Sequence, residues 1–222
     1  MADSSEIIVG YWKIRGRGAI VRSLLAYCET PFKNKLYRNI DEWFNNDKQS
    51  LGLDYPNLPY LIDGEKKIAE SGAILHYIPI RAGKRELIGD TDEKFIQVQV
   101  AFSVGLDINT EICRILYGGG DFEANLEETF KKGKFKAKFD LFEKNLTGKE
   151  WLTGFLSIAD FQLFEIVDMI HEMDAVKLEP YPNLLSFRNR FLEIPQIKAH
   201  RESENFIKLW FVPGKAAWPK SA

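Results

Sequence analysis

The sequence predicts a small mixed α/β domain followed by an all-helical domain. Three observations carry this. Strand and helix signals alternate through residues 7–80 in the order β, α, β and then β, β, α. Asp63-Gly64 lies between two short apolar runs and is a strong hairpin signal. After residue 92 the strand signals cease, and apolar residues recur at helical spacing. The α/β domain is placed at residues 1–85, a linker at 86–92 and the helical domain at 93–222.

The elements follow in order. Ile7 to Trp12 reads as a short buried strand. Gly16 and Gly18 interrupt it, and Ile20, Val21, Leu24, Leu25 and Cys28 then recur at helical spacing. Lys35-Leu36-Tyr37 is a second strand. Residues 41–52 are polar with isolated aromatics and read as a loop with a helical turn. Tyr60-Leu61-Ile62 and Lys67-Ile68-Ala69 pair across the turn. Ser71 opens a helix over Ala73 to Ile78. Helices are expected over 93–117, 123–146 and 157–173, with weaker patterns over 183–193 and 196–211. Ser157-Ile158-Ala159-Asp160 resembles a capping box, with Asp in place of Glu or Gln.

Composition excludes several classes. Thirty basic and thirty-two acidic side chains give a formal charge of −2 over 222 residues, without the basic excess of a nucleic-acid binder. No apolar run reaches the roughly 20 residues that cross a bilayer. The opening Met1 to Glu6 is polar and acidic, unlike a secretory or mitochondrial leader. Cys28 and Cys113 form no CxxC, which fits a reducing compartment; cytoplasm is the expected location. His76, His171 and His200 show no ligand spacing, so no metal site is expected. Gly16-Arg17-Gly18 and Gly118-Gly119-Gly120 match no phosphate-loop pattern and read as loop punctuation.

Three short constellations carry chemistry, and each has a plainer reading. Leu58-Pro59 precedes a strand. A cis bond there would expose backbone N–H and C=O to a peptide-like ligand; an ordinary turn proline is the alternative. Glu70-Ser71 opens a helix whose N-terminal N–H groups suit a carboxylate, while Glu70 suits an ammonium; a simple cap is the alternative. Tyr11 ends a strand, where its hydroxyl can meet a thiolate and favour the charged form; a buried core tyrosine is the alternative.

In order and spacing these runs resemble one family. Gly10-Tyr11-Trp12-Lys13-Ile14-Arg15-Gly16, then Leu51 through Gly64, then Ser71-x-Ala73-Ile74-Leu75-x-Tyr77-Ile78, are similar to cytosolic glutathione S-transferases, the second run most closely to the mu class. The likeness continues through Phe122-Glu123, Ser157 to Phe161, Tyr181 to Leu184 and Ile194 to Ile197. The resemblance implies a thioredoxin-like N-terminal domain and a helical C-terminal domain. It implies a detoxifying transferase that joins glutathione, as co-substrate, to hydrophobic electrophiles without a tightly bound cofactor. Tyr11 would be the catalytic tyrosine. Trp12, Trp43 and Lys48 would hold the glycyl end. Asn57 and Leu58, before a cis Pro59, would hold the cysteinyl part. Glu70 and Ser71 would hold the γ-glutamyl end, with Asp107 reaching it from the partner of a homodimer. Tyr117, with Cys113, Phe206, Trp210 and Phe211, would contact the electrophile. Tyr55 would be an aromatic key at the dimer interface.

Departures from the mu pattern are specific. The segment from Tyr37 to Trp43 is shorter, and one extra residue lies between Trp43 and Asn57. Glu70 replaces glutamine. His76 and Ile80 stand where arginines are usual. Pro79 stands inside the expected second helix, which an interior proline, costing about 3 kcal/mol, is expected to end early. Two other roles stay open. One is a sigma-like prostaglandin isomerase, suggested by Gly16 to Arg22. The other is a glutathione-binding structural subunit of a larger assembly. Neither nucleic acid nor membrane is an expected partner.

Overall fold

The computed structural model describes residues 6–119, 121, 124–125, 127–128, 133–172 and 178–211. The chain divides into two compact units, Met1–Arg85 with Pro195–Val212, and Glu86–Ile194 with Pro213–Ala222.

The first unit is built on one four-stranded sheet. Its strands are β1 (Ile7–Trp12), β2 (Phe32–Tyr37), β3 (Tyr60–Asp63) and β4 (Lys66–Ala69), in the order β2-β1-β3-β4. β1 and β2 are parallel, which demands a crossover, and helix α1 (Gly16–Tyr27) supplies it. The other pairs are antiparallel. β2 is an edge strand, and its exposed Lys33 and Lys35 alternate with less exposed residues, a charge pattern that discourages edge-to-edge pairing. Between β3 and β4 the central turn residues are Gly64 and Glu65, because Asp63 pairs with Lys66 inside the ladder. Gly64 has φ 59°, a backbone angle that favours glycine.

Helix α2 runs over Ser71–Arg81 with Pro79 inside it, which corrects the expected early end. Pro79 falls in the last turn, so the helix forgoes one N–H bond there. The turn still closes through Ala82 N–H to Ile78 O (2.9 Å) and Lys84 N–H to Pro79 O (2.8 Å). The buried carboxylate of Asp63 then ties α2 to β3. It accepts from Tyr77 Oη and Arg81 Nε, both at 2.7 Å.

The segment after residue 195 departs from expectation in two ways. A helix forms only over Pro195–Glu202, and the described chain beyond it is non-helical to Phe211. Ser203 Oγ bonds the His200 carbonyl (2.7 Å), the local competition by which serine ends helices. The segment also belongs with the sheet and not with the helical unit. Arg15 N–H donates to Leu209 O (2.6 Å), and Asn34 Nδ2 donates to Asn205 Oδ1 (3.2 Å).

A 3₁₀ turn, Arg85–Ile88, overlaps the start of the second unit and of the expected linker. Helix α3 (Asp92–Tyr117) is capped by Thr91, whose hydroxyl accepts from Lys94 N–H. α4 (Lys134–Asn145), α5 (Ile158–Glu172) and α6 (Pro182–Leu192) follow. Phe122-Glu123 of the family-like run lies outside the described residues. α5 is buried all round from Ile158 to Ile170, as befits a central helix. Its start is the capping motif read from the sequence. Asp160 Oδ2 accepts from Ser157 N–H (2.8 Å) and Ser157 Oγ (2.9 Å), and Oδ1 accepts from Leu152 N–H (2.9 Å). Burial pushes the Asp160 carboxyl up to about 6, while these bonds pull it down. Phe164 stacks on Phe191 with centroids 4.2 Å apart. α3 passes α5 at Gly105, where a Cβ would lie 3.2 Å from the Gln162 side chain.

Candidate functional site

The sheet topology brings four chain segments to one end. Gly10 of β1 faces Tyr60 of β3, and Tyr60 faces Ala69 of β4. Tyr11 and Trp12, leaving β1, therefore lie at the same end as Leu58-Pro59, entering β3, and Glu70-Ser71, leaving β4. Trp12 pairs with Tyr37, so the segment after β2 starts there too. Residues far apart in sequence thus meet because a parallel strand pair and an antiparallel hairpin share one sheet.

Tyr11 is nearly buried, and its surroundings are small by necessity. Its Oη accepts from Arg17 N–H (3.2 Å) in the first turn of α1. Gly16 has φ 39°, and a Cβ there would meet Tyr11 Oη at 2.9 Å. A Cβ on Gly18 would come within 2.6 Å of Tyr11 Cδ1. The two glycines read from the sequence as punctuation therefore also make room for the phenol. Behind the ring, the buried Arg22 guanidinium lies 5.9 Å from its centroid. Arg22 Nε bonds Asn34 Oδ1 (2.8 Å), and Nη1 bonds Ile14 O (3.0 Å).

The second constellation is continuous. Leu58-Pro59 is cis. Leu58 N–H donates to Asn57 Oδ1 (2.9 Å), and Asn57 Nδ2 donates to Glu70 Oε1 (2.8 Å). Glu70 has φ 67° and ψ 115°, a positive φ rare outside glycine. Such a conformation persists only where surroundings enforce it, and it gathers at ligand sites. No side chain caps the start of α2, so its first N–H groups and the Ser71 hydroxyl form an anion-favouring corner beside the Glu70 carboxylate.

Trp43 and Lys48 sit on and after a π-helical turn, Glu42–Asp47. Its signature is Lys48 N–H to Trp43 O (2.9 Å), a bond across five residues. Trp43, 2% exposed, is a core side chain, stacked on Tyr60 (5.9 Å) and edge-on to Tyr37 (5.3 Å). Trp12 packs edge-on to the same Tyr37 (6.2 Å). Lys48 Nζ lies over the Phe44 ring (4.8 Å). Sequence reasoning missed the polar centre of this cluster. Tyr37 Oη donates to Asp47 Oδ2 (2.7 Å) and is 3.0 Å from Tyr60 Oη. Lys35 Nζ reaches the same Asp47 oxygen (3.2 Å). Burial, and then the Asp47 bond, push the Tyr37 phenol well above the ordinary tyrosine range. The Tyr37 bond holds Asp47 below the usual carboxylate range, with Lys35 adding to it. A carboxylate and a second hydroxyl that meet Tyr37 from distant parts of the chain leave no periodic trace in sequence.

The remaining expected residues are placed as follows. Tyr55 is 80% exposed. His76 Nδ1 contacts Gly72 O (2.7 Å), and Ile80 is exposed. Asp107, on α3, is paired with Lys138 of α4 (2.6 Å) in the same chain. Cys113 and Tyr117, both exposed, stand one turn apart near the end of α3. Phe206 and Trp210 belong to the first unit and flank Arg15, whose guanidinium is 5.3 Å from the Phe206 centroid and 3.5 Å from that of Trp210. Phe211 closes the described chain. Among the described residues no three His, Cys, Asp or Glu side chains form a metal-binding group, and no helix is long and apolar enough to cross a membrane.

Comparisons with known proteins agree with this fold. Residues 8–79 match the family described as glutathione S-transferase, N-terminal domain, and residues 106–204 match glutathione S-transferase, C-terminal domain. The chain is 37% identical to glutathione S-transferase Mu 1 of Bos taurus over 209 residues, 90% of this chain and 93% of that one. Among solved structures, glutathione S-transferase Blo t 8 is similar, with a TM-score of 0.78 and 27% identity over 88% of this chain and 92% of its own. Prostaglandin synthase D of Nilaparvata lugens shares the fold, with a TM-score of 0.76 at 21% identity over 90% of this chain and 98% of its own.

Proposed function

The chain belongs to the glutathione S-transferase family, and on that premise we propose that it joins glutathione to hydrophobic electrophiles, with Tyr11 as hydrogen-bond donor to the thiolate. The observation that carries the role of Tyr11 is its bond from Arg17 N–H. In that bond the phenol oxygen is the acceptor, so its O–H is the group to donate to a sulfur. An N–H at a helix start pointing at the oxygen also polarises the hydroxyl toward stronger donation. A hydrogen bond to a charged acceptor is worth about 1.5–3 kcal/mol, which lowers a thiol's pKa by roughly one to two units. The thiol proton leaves to solvent, and the thiolate forms the new C–S bond at the electrophilic carbon, which in a substitution releases its leaving group with the bonding pair and in an addition passes its π pair to a carbon or heteroatom that takes a proton from solvent.

Glutathione fits the rest of the sheet end. Its γ-glutamyl carboxylate suits Ser71 and the start of α2, and its ammonium suits Glu70. The cysteinyl backbone suits Asn57 and Leu58 before Pro59. The glycyl end suits Trp12, Trp43 and Lys48. Tyr117, Cys113, Phe206 and Trp210 are the proposed electrophile contacts. In a homodimer, Tyr55 would enter the partner, and Asp107 would exchange Lys138 for the ammonium of the partner's glutathione. A native mass of two chains is the expected measurement. The setting is cytoplasmic and the role detoxifying, with no tightly bound cofactor.

The decisive experiment is turnover of glutathione with a panel of electrophiles, wild type against Tyr11→Phe. The expected loss in kcat/KM near neutral pH is about 10- to 150-fold. Unchanged turnover and thiolate formation in Tyr11→Phe would overturn the mechanism.

A further inference from the structure

We propose that Tyr37 and Asp47 are positioning residues for the glycyl end of the glutathione site, acting through Trp43 and Lys48. This rests on the glutathione reading above.

The π-turn Glu42–Asp47 needs outside support. π-helical turns are rare and appear mostly as single turns at functional sites. Its start is held by Asn39, whose Oδ1 accepts from Glu42 N–H (2.9 Å), and by the Glu42 carboxylate, which accepts from Arg38 N–H (2.8 Å). Its end is held by Asp47, through the Tyr37 hydroxyl and the Lys35 ammonium. Tyr37 is the last residue of β2 and 1% exposed, and its oxygen is shared with Tyr60, the first residue of β3. One carboxylate thus pins the turn to β2 directly and, through the Tyr37 hydroxyl, to β3 on the far side of β1.

The same two tyrosines fix the tryptophans. Their hydroxyls meet each other, with Tyr37 also bonded to Asp47, while their rings hold Trp43, and the Tyr37 ring also meets Trp12. Lys48 follows Asp47 directly, so the direction of its side chain depends on how Asp47 is held. A role in core packing alone would not require the carboxylate: an apolar residue would fill the space. The charged group at the end of a π-helical turn, next to the residue proposed to meet a carboxylate, is what points to positioning.

Asp47 is not placed on the ligand, so its loss should act on one end of the ligand only. The test uses Tyr37→Phe and Asp47→Asn. Asp47 is partly exposed, so Asp47→Asn keeps the test informative if the core variant folds poorly. Calorimetry is run with glutathione and with γ-glutamylcysteine, which lacks the glycine, together with kcat at saturating glutathione. The expected result is an about tenfold weaker Kd for glutathione, an unchanged Kd for γ-glutamylcysteine and an unchanged kcat. Equal weakening for both ligands, no weakening for either, or a fall in kcat with Kd preserved would overturn the positioning roles. Failure of the wild type to bind glutathione would instead overturn the reading beneath them, and is seen before any variant is made.

Discussion

Gly18→Ala perturbs the candidate catalytic residue without touching its hydroxyl. The new methyl would stand 2.6 Å from Tyr11 Cδ1 and 2.9 Å from Tyr11 Cγ and from Arg22 Nη1. Ordinary contact begins near 3.4 Å, so the ring has to retreat by about 0.8 Å (3.4 minus 2.6). Arg22 cannot give way cheaply, because its guanidinium is buried and bonded to Asn34 and Ile14. The bond from Arg17 N–H to Tyr11 Oη is already 3.2 Å, so a shift of that size breaks it. A displacement near 1 Å at a reacting group can cost about 10²-fold. Loss of the donor bond alone amounts to about 10- to 150-fold. The assay is kcat/KM against pH for wild type, Gly18→Ala, Tyr11→Phe and the double variant. Gly18→Ala should lose about tenfold or more near neutrality, with its profile moved to higher pH by about one unit. In the double variant the two losses should not add, because both act through one hydroxyl. A wild-type profile in Gly18→Ala, or fully additive losses, would refute the reasoning.

Two further predictions concern stability. His200 is buried between Phe32 and Phe206, and burial, with the charges of Arg22, Arg15 and Arg201, holds it down at about 4. The folded state thus refuses a proton that the unfolded chain accepts below about 6.5. The contribution is fully present above that pH and is lost as pH falls toward 4, by roughly 3 kcal/mol. Denaturant midpoints at pH 7 and pH 4 should converge in His200→Leu relative to wild type; an identical pH dependence in both would reject it. Gln162 is buried between α3 and α5 with neither amide atom hydrogen-bonded. Gln162→Met keeps the unbranched shape beside Gly105 and removes the unmet polar groups. It should stabilise by about 1–2 kcal/mol in thermal or denaturant unfolding, and a loss of stability would show that the amide has a hidden role.

The candidate site was legible in the sequence wherever a local rule wrote it. Tyr11 stood at a strand end, Asn57 to Pro59 before a strand, and Glu70-Ser71 at a helix start. Each is a position that backbone geometry marks within a few residues. What escaped was set by distance in sequence. The Asp47–Tyr37–Tyr60 contact spans β2, the turn after it and β3, and no periodicity records which hydroxyls will face one another. Pro79 misled for a related reason. A proline is costly inside a helix, but its cost depends on how many turns follow it and what anchors them, and here Arg81 on Asp63 anchors the last one. The helix expected over 196–211 failed at Ser203, where a side-chain bond outcompeted a weak apolar period.

The sequence by itself determined the order of elements, the split between sheet and helices, the capping of α5 and the place of Tyr11 at a strand end. Those follow from short-range sterics, alternation and side-chain type. Only the tertiary structure decided why Gly16 and Gly18 must be small, that Trp43 is a core side chain, and that residues 195–211 belong with the sheet unit. Only it placed the Tyr11 hydroxyl under the Arg17 N–H. Each is a matter of which surfaces meet across the sheet, and that is settled by packing and by long-range hydrogen bonds.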